Sequence, residues 1–158
     1  MRGALLTWPL LLLLLTASAI TQKAIPRAHD AAEIEGLVDA AAELLDRRGR
    51  KAFEELRRPD SQWRHDDLYL FAMDLSGNVL FNAANPHREG RNWLDERDAD
   101  GKRFHRDFVE VVRTYGSGWV DYMFPKPGRA SPSVKWSYLR GVTIDGTAAL
   151  VGAGAYVD

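Results

Sequence analysis

The chain has 158 residues, of which 46% are hydrophobic and 27% charged, which suits one domain with a real core. Its net charge of −1 carries no basic excess, so composition points away from nucleic acid as a partner. It has no cysteine, which excludes a disulfide scaffold, a cysteine nucleophile, a thiolate zinc site and lipid attachment through an N-terminal cysteine.

The N-terminus reads as an address. Met1-Arg2-Gly3 is positively charged, Ala4 to Leu15 is apolar, and Ala17-Ser18-Ala19 is a small-x-small cleavage signal. Residues 1–19 are therefore expected to be a secretory signal peptide, with a mature start at Ile20 and a periplasmic or secreted product. The alternative is an uncleaved anchor, although the apolar run is short for a bilayer span. Residues 20–29 form a linker, and the domain is expected over 30–158.

A long helix is expected next. Asp30 and Glu33 make a capping-box-like start, and Ile34, Leu37, Val38, Ala41, Leu44, Leu45, Ala52, Phe53 and Leu56 form one apolar stripe. The basic residues around Gly49 read as a solvated face, and Pro59-Asp60 ends the helix. Leu68 to Met73 is apolar on both faces and reads as an interior strand. Val79 to Phe81 returns from the turn at Asp74 to Asn78. The polar loop from Asn82 to Gly90 follows, and its Arg88, or Arg91 just beyond it, is placed to cover a pocket mouth.

Asp95 to Lys102 matches a calcium loop poorly, since the first position is Glu96 and the bidentate glutamate is missing. Its acids are better read as a cap for the next helix. In that helix Phe104, Phe108, Val111, Val112 and Tyr115 share a face, Gly116 stops it, and His105 falls one position off the stripe, as a surface or boundary residue and not a ligand. The four histidines lack metal-ligand spacing, so no metal and no cofactor is expected.

Trp119 to Phe124 reads as a central strand and Ser133 to Ile144 as a long one. Asp145-Gly146 is a two-residue hairpin turn, and Ala148 to Val157 is the last strand. Gly152 and Gly154 within it point to close approach of a backbone, a neighbour or a ligand. The fold class is α+β: a five-stranded antiparallel sheet, a long N-terminal helix and one helix inserted between the second and third strands. The stretch from Gly116 to Tyr138 gathers Trp119, Tyr122, Lys135, Trp136 and Tyr138. Aromatic walls, one cation and phenol hydroxyls suit a pocket for a small anion, and the same residues suit an ordinary sheet.

Seven short motifs lie in an order that resembles a known family: residues 68–80, Asn85-Pro86 with Gly90-Arg91-Asn92, residues 98–102, residues 116–122, Pro125 to Gly128, Lys135 to Tyr138, and residues 152–158. They resemble the single Cache domain of type 2, over about residues 30–158. The resemblance implies a PAS-like sheet and the sensing of small organic acids outside the cytoplasm, as the input to chemoreceptors and kinases. It implies a ligand site of Trp119, Tyr122, Lys135 and Tyr138, with Phe71 as an apolar wall. Trp119 and Tyr122 have opposite parity along their strand, as do Lys135 and Tyr138, so regular strands cannot aim all four at one pocket. The pattern favours Tyr122 and Lys135.

Receptors of this kind continue into a transmembrane helix and an output module, whereas this sequence ends at Asp158. The expectation is an exported binding or sensing domain for a short carboxylate, without its own output, acting with a membrane receptor or kinase. The alternative is an interaction protein that pairs, with itself as a homodimer or with a receptor, through the N-terminal helix and takes no ligand. No nucleophile with a paired base and no phosphate loop is present, so the chain is not read as an enzyme.

Overall fold

A computed structural model describes residues 31–65 and 67–157. The expected signal peptide, the linker and the cap at Asp30 lie outside the described residues. Helix α1 (Ala31–Arg48) buries Ile34, Val38, Ala41, Ala42 and Leu45. Each larger side chain among them contributes about 1.5–3 kcal/mol on leaving water. The stripe does not run on in one helix. Gly49 has φ +56, which starts a 3-10 turn (Gly49–Ala52) before the short α2 (Phe53–Leu56). The break packs under the Asp145 carboxylate, which accepts from Arg50 N at 3.4 Å. The basic cluster is partly paired at the surface, with Arg48 donating to Glu55 at 2.6 Å.

The strands are β1 (Arg64–His65), β2 (Leu68–Asp74), β3 (Val79–Asn82), β4 (Ser117–Pro125), β5 (Pro132–Ile144) and β6 (Thr147–Tyr156). All pairings are antiparallel. The path runs β1-β2-β6-β5-β4, and β3 shares with β1 the free edge of β2. The short β1 is the strand that the sequence did not announce, because two polar residues carry no alternation. The strand from Trp119, expected to be central, is instead the edge strand β4, and β6 is the centre. Asp145 and Gly146 have φ 49 and 80 and so make the tight turn expected between β5 and β6.

Helix α3 (Phe104–Tyr115) lies between β3 and β4 in sequence and ends at Gly116, whose N–H bonds Val112 O at 2.9 Å. Its buried side includes Phe104, Phe108 and Val112 as expected, but Tyr115 is 78% exposed. The acids before it do not cap it. Arg103 holds the cap position without a side-chain bond. The Asp98 carboxylate instead accepts from the backbone N–H of Asp100, Lys102 and Met123 at 2.8–3.0 Å, tying the loop to β4. Burial works against that charge, yet these N–H groups outweigh it and hold the Asp98 carboxyl below its ordinary range.

One face of the sheet is covered by α1, and α3 with the 83–103 loop covers the other. Among the described residues no helix is long and apolar enough to cross a membrane.

Candidate functional site

Period-two alternation sorts the chemistry-bearing side chains onto the two faces of the sheet. Trp119 of β4 lies opposite Tyr138 of β5, and Tyr122 lies opposite Lys135. Trp119 and Tyr138 turn toward α1. Their rings meet at 5.4 Å, and Trp119 Nε1 donates to Glu35 of α1 at 2.8 Å. Tyr122 and Lys135 turn toward α3, on the same side as Phe71 of β2, whose ring stacks on Phe108 at 5.7 Å. The structure therefore brings together Phe71, Tyr122 and Lys135 and separates Trp119 and Tyr138 from them. The register is regular along β4 and β5, so no bulge reunites the four.

Beneath α3 is a cavity lined by Tyr69, Phe71, Asn82, Arg88, Phe104, His105, Phe108, Tyr122 and Phe124, among others. It offers about 20 Å³ to the centre of a water-sized sphere, room for about one water. Tyr122 stacks on Phe104 at 4.4 Å, and its hydroxyl pairs with Ser137 Oγ at 3.0 Å. Burial raises the Tyr122 phenol well above its usual range, so it stays a neutral hydroxyl.

Lys135 stands behind this wall. It is fully buried, and its Nζ has no hydrogen-bond partner. Aromatic rings surround it, with Nζ 3.8 Å from the Tyr69 centroid, 4.9 Å from Tyr156, 5.8 Å from Phe124 and 5.9 Å from Phe71. Ring faces offset part of the cost of removing the cation from water, but they accept no full hydrogen bond. For Tyr69, burial pushes the phenol up, and the Lys135 charge, with close polar contacts to Lys135 and Tyr156 and the Arg88 charge, together more than reverse this, leaving it below its ordinary value.

The loop supplies the second cation. Arg88, at the end of a 3-10 turn (Pro86–Arg88), is nearly buried and reaches the cavity, while Arg91 is exposed. Its guanidinium pairs bidentately with Glu96, one bond being 3.1 Å, and lies 4.1 Å over the Trp93 ring. Trp93 Nε1 returns a bond to Arg88 O at 3.1 Å.

His105 is not at a boundary. It is buried and lines the cavity, with Nδ1 2.9 Å from Trp93 O. Burial first, then the Arg88 charge, lowers its pKa from 6.5 to about 3. Its folded pKa lies below its unfolded one, so its contribution to stability is complete above pH 6.5 and is lost as pH falls toward 3. Unfolding free energy is expected to fall by about 1.4 kcal/mol per pH unit below 6.5 on this account. Denaturant titrations from pH 7 to 4.5 measure it. His105→Leu should flatten that slope whatever its effect at pH 7, and an unchanged slope would assign the acid sensitivity elsewhere.

Sequence reasoning did not single out Tyr69, Phe124 or His105. Tyr69 shares parity with Phe71, and Phe124 with Tyr122, so alternation along β2 and β4 was the available signal. His105 had none, since a loop rather than its own helix stripe buries it. Among the described residues no group of three or more metal-ligating side chains is gathered.

The arrangement is an antiparallel sheet with a long N-terminal helix and a small chamber under an inserted helix. The chain belongs to the Cache domain family, whose dCache_2 profile matches residues 42–158. Over 97 residues, 61% of the chain, it is 33% identical to the methyl-accepting chemotaxis protein McpP of Pseudomonas putida, and it spans 17% of that relative's length. A periplasmic sensor domain of a chemotaxis protein superposes with a TM-score of 0.63 at 34% identity, covering 80% of this chain and 89% of that one. A Cache chemosensory domain described as recognising carboxylic acids superposes at 0.61 with 28% identity, over 78% of this chain and 81% of that one. A methyl-accepting chemotaxis protein from Vibrio parahaemolyticus, at 22% identity and a TM-score of 0.64, shares the fold, over 80% of this chain and 88% of that one. The expected PAS-like α+β architecture is thus the observed one.

Proposed function

We propose that this Cache domain binds a short organic carboxylate and serves as the sensory input of an exported or membrane-associated system, passing occupancy to a receptor or kinase. The observation that carries the reading is the Lys135 ammonium, fully buried, caged by rings and without an acceptor. A carboxylate is the group that satisfies such a cation, and the pairing is strong where water is excluded. Arg88 and the neutral Tyr122 line the chamber in front of the wall that covers Lys135 and supply further donors there. The carboxylic acids named for a solved relative agree with this chemistry. Phe71, Phe104 and Phe108 leave little apolar volume, which favours acids of few carbons. In this reading residues 1–19 direct export and 30–158 form the ligand-binding unit, with Phe71, Tyr122 and Lys135 at the site and Trp119 and Tyr138 bracing α1.

A thermal-shift screen against short carboxylates, amines and amino acids tests it. At about 100 times its dissociation constant a ligand should stabilise by about 2.7 kcal/mol, hence by about 5–10 °C for a domain of this size. The shift should be confined to carboxylates. A shift with amines alone, or with no compound at millimolar concentration, would overturn the reading.

A further inference from the structure

Two chambers meet at Arg88. The inner cavity has room for about one water, so even a two-carbon acid enters only if part of its wall moves. An outer chamber of about 330 Å³ lies beside it under the loop between β4 and β5, and its lining includes Glu96, Lys126 and Arg129. Tyr69, Arg88 and Phe124 line both chambers and so form the partition between them. Arg88 is the charged member of the three. It lies over the Trp93 ring at 4.1 Å and the Phe124 ring at 5.4 Å, and Glu96 holds it with a bidentate pair. Glu96 lines the outer chamber and not the inner one.

We propose that Glu96 is an internal carboxylate that occupies Arg88 and keeps the partition closed, and that a ligand anion reaches the inner cavity from the outer chamber by taking Arg88 over from Glu96. The proposal rests on the anion-binding reading above. A guanidinium fork presents the same two parallel donors to any carboxylate, so an incoming acid reproduces the bond that it displaces. The exchange then costs far less than opening an apolar seal would. Only the fraction of molecules with Arg88 released is competent to bind, so Glu96 lowers the apparent affinity by that fraction and sets the concentration at which the sensor responds. Positive side chains at the rim, Arg129 among them, raise the local concentration of anions and speed encounter at low salt.

The experiment compares the full chain with Glu96→Gln and Arg129→Gln, using acetate and formate as probes in stopped-flow tryptophan fluorescence. Glu96→Gln should associate about tenfold faster and bind more tightly, because a neutral amide releases Arg88 more readily. Arg129→Gln should associate more slowly at low salt and like wild type at high salt, with dissociation unchanged. Folded Glu96→Gln that associates no faster than wild type would overturn the proposal. Glu96→Ala takes its place if the amide variant does not fold.

A second readout needs no acetate binding. Cyanate, a small anion, carbamylates lysine: it takes a proton from the Lys135 ammonium to give the amine and isocyanic acid, the amine nitrogen bonds to the isocyanic acid carbon, and an amine proton moves to its nitrogen, giving a urea. Labelling of Lys135 relative to exposed Lys51, read by peptide mass spectrometry, should rise about tenfold in Glu96→Gln. If neither protein binds acetate, the carboxylate reading fails, while faster labelling still upholds the closed partition and equal labelling overturns it.

Discussion

Replacing Lys135 by methionine is expected to weaken carboxylate binding and, at the same time, to make the unliganded domain more stable. The two effects have one cause. Lys135 is fully buried with no well-formed hydrogen bond, and the ring faces around it, with the neighbouring Tyr69 phenol, compensate its charge only in part. Methionine fills a similar volume without a charge to desolvate. Substituting well-packed apolar groups for buried charges is commonly stabilising, by about 1–4 kcal/mol. A gain at the low end would raise the melting temperature by about 3 °C. Losing a charge-assisted bond to the ligand costs about 1.5–3 kcal/mol, or between about tenfold and a hundredfold in affinity. Calorimetric melting without ligand and titration with acetate measure the two halves. If Lys135→Met binds acetate like wild type, the cation is not the ligand's partner. If it binds weakly and also melts lower, the ammonium is better compensated than its surroundings indicate. Lys135→Ala would not separate these effects, because the cavity it leaves lowers stability by itself.

Gly154→Ala is expected to be strongly destabilising although it adds a single methyl group. A Cβ at this position would lie 2.1 Å from Trp136 O, 2.3 Å from Ser137 Oγ and 2.7 Å from Ser137 Cα. Two of those atoms belong to the backbone of β5, which cannot retreat because its other edge is paired with β4 from Pro132 to Arg140. The overpacking cost is about 3 kcal/mol or more. Ser137 Oγ also pairs with the Tyr122 hydroxyl, so any β5 shift that relieves the clash disturbs the chamber wall. Gly36→Ala is the matched control. Gly36 is exposed within α1, with nothing within 4 Å of a new Cβ, so alanine there should stabilise by about 0.5–1 kcal/mol. Urea denaturation of the two variants should move in opposite directions. Gly154→Ala matching wild type would mean that β5 and β6 are not as closely apposed as described.

Much of the fold was legible because the signals that define it are local. The stripe of α1, the face of α3 with its Gly116 stop, the Asp145-Gly146 turn and five of the six strands each announce themselves within about a dozen residues. The break at Gly49 was not legible, since the carboxylate of Asp145 that packs on it lies far along the chain. Nor was the role of Asp98, whose third donor is Met123 on β4. Both are settled by partners distant in sequence.

The candidate site divides along the same line. Alternation alone requires that Trp119 and Tyr122 point to opposite faces, as do Lys135 and Tyr138, and that part of the answer was available from residue order. Alternation is silent on which face becomes a chamber. That depends on which helix covers it: α1 packs Trp119 and Tyr138 with Glu35, whereas α3 and the loop carrying Arg88, Trp93 and Glu96 roof the face of Tyr122 and Lys135. The residues by themselves determined the elements, the parity of the aromatic positions and the chemistry on offer. Only the tertiary structure decided that the cation would be sealed behind Tyr69 and that Glu96 would hold Arg88. The physical reason is that periodicity is a property of one strand or helix, while burial, desolvation and ion pairing arise between elements that the chain brings together only on folding.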